Sequence, residues 1–102
     1  MAEALDRLWK QYLPMMEERA ALLEAAAHAL AERELTDEER DAASAAAHKL
    51  AGVLGTFGLT RGTMLAREAE LLYSDDPDTE PANARQLAEI AAQLKAMIAG
   101  RK

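Results

Sequence analysis

The sequence predicts an all-α protein: an antiparallel up-down four-helix bundle with an additional short N-terminal helix. Three observations carry that expectation. Strong helix formers dominate, with 24 alanines among 102 residues. Aromatics make up only 4% of the chain, and Val, Ile and Thr are too sparse to help them build a sheet. Apolar residues recur at helical spacing in long stretches joined by short breaks, which favours antiparallel neighbours. The length suits one domain over 1–102, since single domains commonly run to about 100–150 residues. Within it, 1–13 reads as the extra helix and 14–99 as the bundle.

Residues 2–13 place Leu5, Leu8, Trp9 and Tyr12 at helical spacing, most simply as core. Pro14 ends or kinks this helix, because proline lacks an amide and disfavours helix in the residue before it. The next stretch, 14–33, turns Met15, Leu22, Leu23, Ala26 and Leu30 inward, and Glu34-Leu35 breaks it. Thr36-Asp37-Glu38-Glu39 reads as a capping box, the Thr hydroxyl and the Glu39 carboxylate taking free amides at the start of a helix over 37–54. Gly55, Gly58 and Gly62 surround the end of that helix as turn residues, and Leu59-Thr60 opens another over 59–73. Ser74-Asp75-Asp76-Pro77-Asp78 is the clearest loop, and it lacks the spacing and glycine of a calcium loop. Thr79, Glu80 and Pro81 then start a last helix over 79–99.

Composition removes several functions. The chain has 12 Lys plus Arg against 18 Asp plus Glu, a net charge of −6, which argues against nucleic acid or an anionic membrane as partner. No apolar run approaches the roughly 20 residues of a membrane span. Without cysteine there is no disulfide framework, thiolate metal site or thiol nucleophile. The start of the chain carries Glu3 and Asp6 and no signal-like apolar run, so a cytoplasmic setting is expected. His28 lies one turn from Glu24 and Glu32, an ordinary arrangement on an exposed helix, and neither a metal nor a cofactor site is read from it.

The other histidine, His48, is more informative. With about 100° per residue, Ala43, Ala47, Leu50, Leu54 and Phe57 fall in a sector roughly opposite it. Its own stripe holds Asp41, Ser44, Ala45, Ala51, Gly52 and Gly55. A solvated helix face normally fills with long polar side chains, whereas this one is nearly all small. Glycine inside a helix costs about 0.5–1 kcal/mol relative to alanine, so Gly52 and Gly55 require a reason. Either a partner protein lies flat against this face to reach the imidazole, or Gly52 lets a neighbouring helix approach while Gly55 begins the unwinding.

The string from His48 to Gly58, HKLAGVLGTFG, resembles the phosphoacceptor segment of histidine-containing phosphotransfer (HPt) domains. Their pattern is H-x-L-K-G with a further glycine six residues on, and His48, Leu50, Gly52 and Gly58 fall on it. The alanines before His48 and the helix from Met64 to Leu71 are similar to that family too. The resemblance implies a phosphocarrier in a two-component phosphorelay. His48 would accept a phosphoryl group from the aspartate of a response-regulator receiver domain and pass it to another receiver. It further implies that the receiver supplies the Mg²⁺, that a hybrid sensor histidine kinase stands upstream, and that this chain binds no cofactor. No nucleotide loop or kinase signature is present, so intrinsic ATP-dependent kinase activity is not expected. The family's lysine, three residues after the histidine, is Ala51 here. Lys49, about 100° round the helix, and Arg67, in the middle of the following helix, are the candidate cations to stabilise the phosphoryl group. The expected docking patch is Ser44, Ala45, Ala51, Gly52 and Gly55. Leu22 and Leu23 are added because residues equidistant from the turn at Leu35 face each other in a hairpin. The alternative is a non-catalytic adaptor, a degenerate HPt domain that docks signalling proteins without transfer.

Overall fold

A computed structural model describes residues 2–74 and 83–100. They form four helices: α1 (Ala2–Glu32), α2 (Asp37–Thr56), α3 (Thr60–Ser74) and α4 (Ala84–Gly100). Helix α1 packs on α2 and α4, and α3 packs on the same two, so successive helices are neighbours in an up-down ring. Among the described residues there is no strand, and no helix is long and apolar enough to cross a membrane. The expected loop over 75–78 and the expected helix start at 79–81 lie outside the described residues.

The separate N-terminal helix is not observed. The first two expected helices are one, 31 residues long with Pro14 inside it. At about 1.5 Å per residue, α1 runs the full 45 Å of the molecule's long axis. Interior proline costs roughly 3 kcal/mol through its missing amide and its clash with the preceding turn. Packing on both sides outweighs that cost. Trp9, Leu13, Met16, Ala20, Leu23, Ala27 and Leu30 form one seam spaced by threes and fours, buried throughout except for the half-buried Leu13. A break at Pro14 would throw half of that seam out of phase. Pro14 and Lys10 are exposed, so water can reach the carbonyl that the proline leaves unpaired. The same continuity buries Met16 rather than Met15, and leaves Leu5, Leu8 and Tyr12 more than a third exposed.

The α1–α2 turn is built as its sequence indicates. Thr36 Oγ1 accepts from Glu39 N at 3.1 Å, and Glu39 Oε1 accepts from Thr36 N at 2.9 Å. The Arg33 guanidinium grips the same carboxylate with two bonds of 2.8 Å. That fork, followed by the Thr36 amide, holds the Glu39 carboxyl down to about 2. A carboxyl lowered on folding contributes stability that is complete above its ordinary value of 4.5 and disappears as pH falls towards 2. Urea midpoints measured across that window should therefore fall less for Glu39→Gln than for the wild type. Thr36→Ala should cost about 1 kcal/mol at neutral pH, read from the same urea curves.

Helix α2 ends slightly later than expected, at Thr56, in a Schellman turn. Leu59 N donates to Leu54 O at 3.0 Å, Gly58 N donates to Gly55 O at 3.0 Å, and Gly58 takes φ +73°. Gly62 is no turn residue. It lies buried in α3, where a Cβ would sit 3.1 Å from Leu54 Cδ1 and 3.3 Å from Met97 Sδ, so its role is close helix approach.

Candidate functional site

Burial of Ala43, Ala46, Ala47, Leu50 and Leu54 fixes the rotation of α2 and turns His48 outward, its side chain 72% exposed. The imidazole is held from α3, where Glu70 Oε2 lies 2.9 Å from His48 Nδ1. A carboxylate only accepts hydrogen bonds, so in the neutral ring this contact selects the tautomer with the proton on Nδ1 and the lone pair on Nε2. The register that brings Glu70 there is set along the α2–α3 seam. Thr63 Oγ1 donates to Ala51 O at 3.3 Å, and Glu70 follows Thr63 by two turns on the same face of α3.

Beside His48 a cleft of about 450 Å³ opens between α1 and α2. Tyr12, Met15 and Arg19 form its α1 wall. His48, Lys49, Gly52, Val53, Thr56 and Phe57 form the other. The floor is firm, because the Phe57 ring meets Trp9 edge-on at 5.1 Å and Tyr12 at 6.5 Å.

The residues expected around His48 divide. Ala45, Gly52 and Gly55 are exposed and Ser44 is half-buried. Ala51 is 3% exposed and belongs to the α2–α3 seam, so it is no surface residue. Leu23 is 2% exposed because it lies in the α1 core seam. Leu22 is exposed and lines clefts with Ala42, Ala45, Ala46 and Lys49. Leu22 does not line the cleft that holds His48, whose α1 wall is Tyr12, Met15 and Arg19. Lys49 lines the cleft as well, while Arg67 is exposed on α3 and is not part of it.

The glycines separate the two explanations raised by the sequence. A Cβ at Gly52 would meet nothing within 4 Å, and one at Gly55 would make an ordinary 3.5 Å contact with Thr63 Oγ1. Among the described residues no neighbouring helix therefore requires Gly52 to be small.

Four contributions were not read from the sequence. Glu70 and Arg19 reach the site from other helices, and Tyr12 and Met15 join the cleft only because α1 continues through Pro14. The heptad-like spacing from Trp9 to Leu30 was the available signal for that continuity. His28 is exposed and lines a separate cleft with Glu32 and Arg85. Among the described residues no group of three or more His, Asp or Glu is placed to hold a metal ion.

Comparison with known proteins adds the following. The family model of the Hpt domain matches residues 7–100. Protein RcaC of Microchaete diplosiphon is 29% identical over 91 residues, which amount to 89% of this chain. The chain spans only 14% of the length of that relative. No solved structure matches.

Proposed function

This chain belongs to the Hpt domain family, and on that footing we propose that it is a phosphocarrier of a two-component phosphorelay with His48 as acceptor. The observation that supports this most directly is the 2.9 Å contact between His48 Nδ1 and Glu70 on an otherwise exposed imidazole. It leaves Nε2 as the nucleophile without requiring a base to deprotonate it.

In the forward step Nε2 attacks the phosphorus of a receiver's aspartyl phosphate. The N–P bond forms as the P–O bond breaks, and the electron pair leaves on the aspartate carboxylate. The proton stays on Nδ1, so positive charge develops on the ring directly against Glu70, where a fixed anion stabilises it. In the return step the protonated ring is the better leaving group, so the same contact serves both directions. Mg²⁺ would be supplied by the receiver. Docking would use Ala45, Gly52 and Gly55 with the α1–α2 cleft, where Gly52 leaves room for a partner backbone.

The test is to incubate the protein with receivers charged by acetyl phosphate and to assay acid-labile phosphohistidine. Glu70→Ala should slow its appearance about 10²-fold. Glu70→Gln, which can still accept from Nδ1 but carries no charge, should fall between. Receiver binding without any acid-labile phosphate would instead establish the docking-only adaptor.

A further inference from the structure

A phosphoryl group carries about two negative charges, and it would arrive on a chain whose net charge is already −6. Glu70 adds a third charge beside the same ring. A transfer site built this way needs cations at the open nitrogen, and position 51 supplies none, being a buried alanine. We infer that Arg19 of α1 is the cation that binds the phosphoryl group on His48, with Lys49 beside it. The inference rests on the phosphocarrier reading above.

Register places Arg19 at the level of His48. The rings of Trp9 and Tyr12 meet Phe57 near one end of the α1–α2 pair, and Arg33 grips Glu39 at the other. Antiparallel helices pinned at those two points bring residue 19 opposite about residue 50, within one turn of His48. The clefts agree, because Arg19 lines one with His48, Lys49 and Gly52 and a second with Ala45 and Lys49. It therefore belongs to the walls of both clefts, one of which also holds the imidazole.

Arg19 is also uncommitted. Arg33, Arg40 and Lys95 are paired with Glu39, Asp37 and Glu24, and Arg61 donates to Gln93. Arg19 and Lys49 make no hydrogen bond or ion pair among the described residues, so their donors remain available. Arg19 is half-buried, which restricts its side chain to the cleft more than a solvated arginine would be. A guanidinium offers paired donors that match two phosphoryl oxygens. With Nδ1 turned to Glu70 on α3, the ring's second nitrogen diverges from that carboxylate, and α1 provides cationic cover for what it carries. Arg19 gives and takes no proton in the step. It offsets charge on the oxygens while the N–P bond forms and the P–O bond breaks.

The full-length chain should be compared with Arg19→Gln and Arg19→Lys, using phosphoramidate and, separately, an acetyl phosphate-charged receiver as donors. The ³¹P shift of phospho-His48 should be titrated in each. Arg19→Gln should slow uptake from both donors about tenfold, less than for an enclosed donor because this site is open to water. It should also raise the pH at which the phosphoryl group takes up its proton, with Arg19→Lys recovering part of both effects and unchanged helical circular dichroism. Wild-type uptake and an unmoved ³¹P titration in Arg19→Gln would overturn the inference while leaving the phosphocarrier reading intact. Loss with the receiver alone would also overturn it, by making Arg19 a docking residue. A wild-type chain that accepts no phosphoryl group on His48 from either donor would remove the underlying reading and this inference with it.

Discussion

His48→Gln takes up no acid-labile phosphate from a charged receiver, and its helical circular dichroism matches the wild type. Both halves of this expected result follow from position. The side chain is mostly exposed and off the core, so its replacement forfeits one contact to Glu70 and no apolar burial. Exposed substitutions of that kind usually stay within about 0.5 kcal/mol. Glutamine has no nucleophilic ring nitrogen, so the loss of labelling should be complete rather than graded. Labelling that persisted would move the phosphoryl group to His28, the other histidine, and the site described around Glu70 would lose its meaning.

The largest effect on stability is expected at Trp9. It is 3% exposed, begins the α1 seam and meets Phe57 edge-on. Truncating a buried Trp to Ala typically costs about 3–5 kcal/mol, of which the ring pair accounts for about 0.5–1.5 kcal/mol. Whole domains have only about 5–15 kcal/mol to lose, so Trp9→Ala should lower the urea midpoint steeply and leave a marginal fold. A loss below about 1 kcal/mol, the size of ordinary surface changes, would mean that the segment before Pro14 is a detachable appendage after all. The variant also carries a functional corollary, because Phe57 loses its support in the wall of the cleft beside His48.

Local chemistry was legible in the sequence wherever neighbours along the chain decide the outcome. The Thr36–Glu39 capping box, the Gly58 turn and the outward rotation of His48 all depend on residues within one or two turns. Pro14 shows the opposite case. Its local preference is to end a helix, and it was overruled by burial of Trp9 and Met16 on either side, a sum that no single position displays. A helical wheel divides one helix into inner and outer halves and so puts Ala51 outside, whereas Leu23 enters the patch only through its distance from the turn. Each of these helices has two packed neighbours, so the true exposed arc is narrower. Glu70 and Arg19 depend on registers across two separate seams, fixed by Thr63 with Ala51 and by Phe57 with Trp9. Those contacts join residues far apart in sequence, which is why His48 could be read while Glu70 and Arg19 could not.

The empty space over Gly52 also makes this chain easy to instrument. The native sequence contains no cysteine, so Gly52→Cys would be its sole thiol. It would stand one helical turn from His48, with no side chain or other helix of the described residues within 4 Å of its Cβ. A small fluorophore or spin label attached there would report a partner's arrival and departure in real time, on the side of the bundle where transfer is proposed to happen.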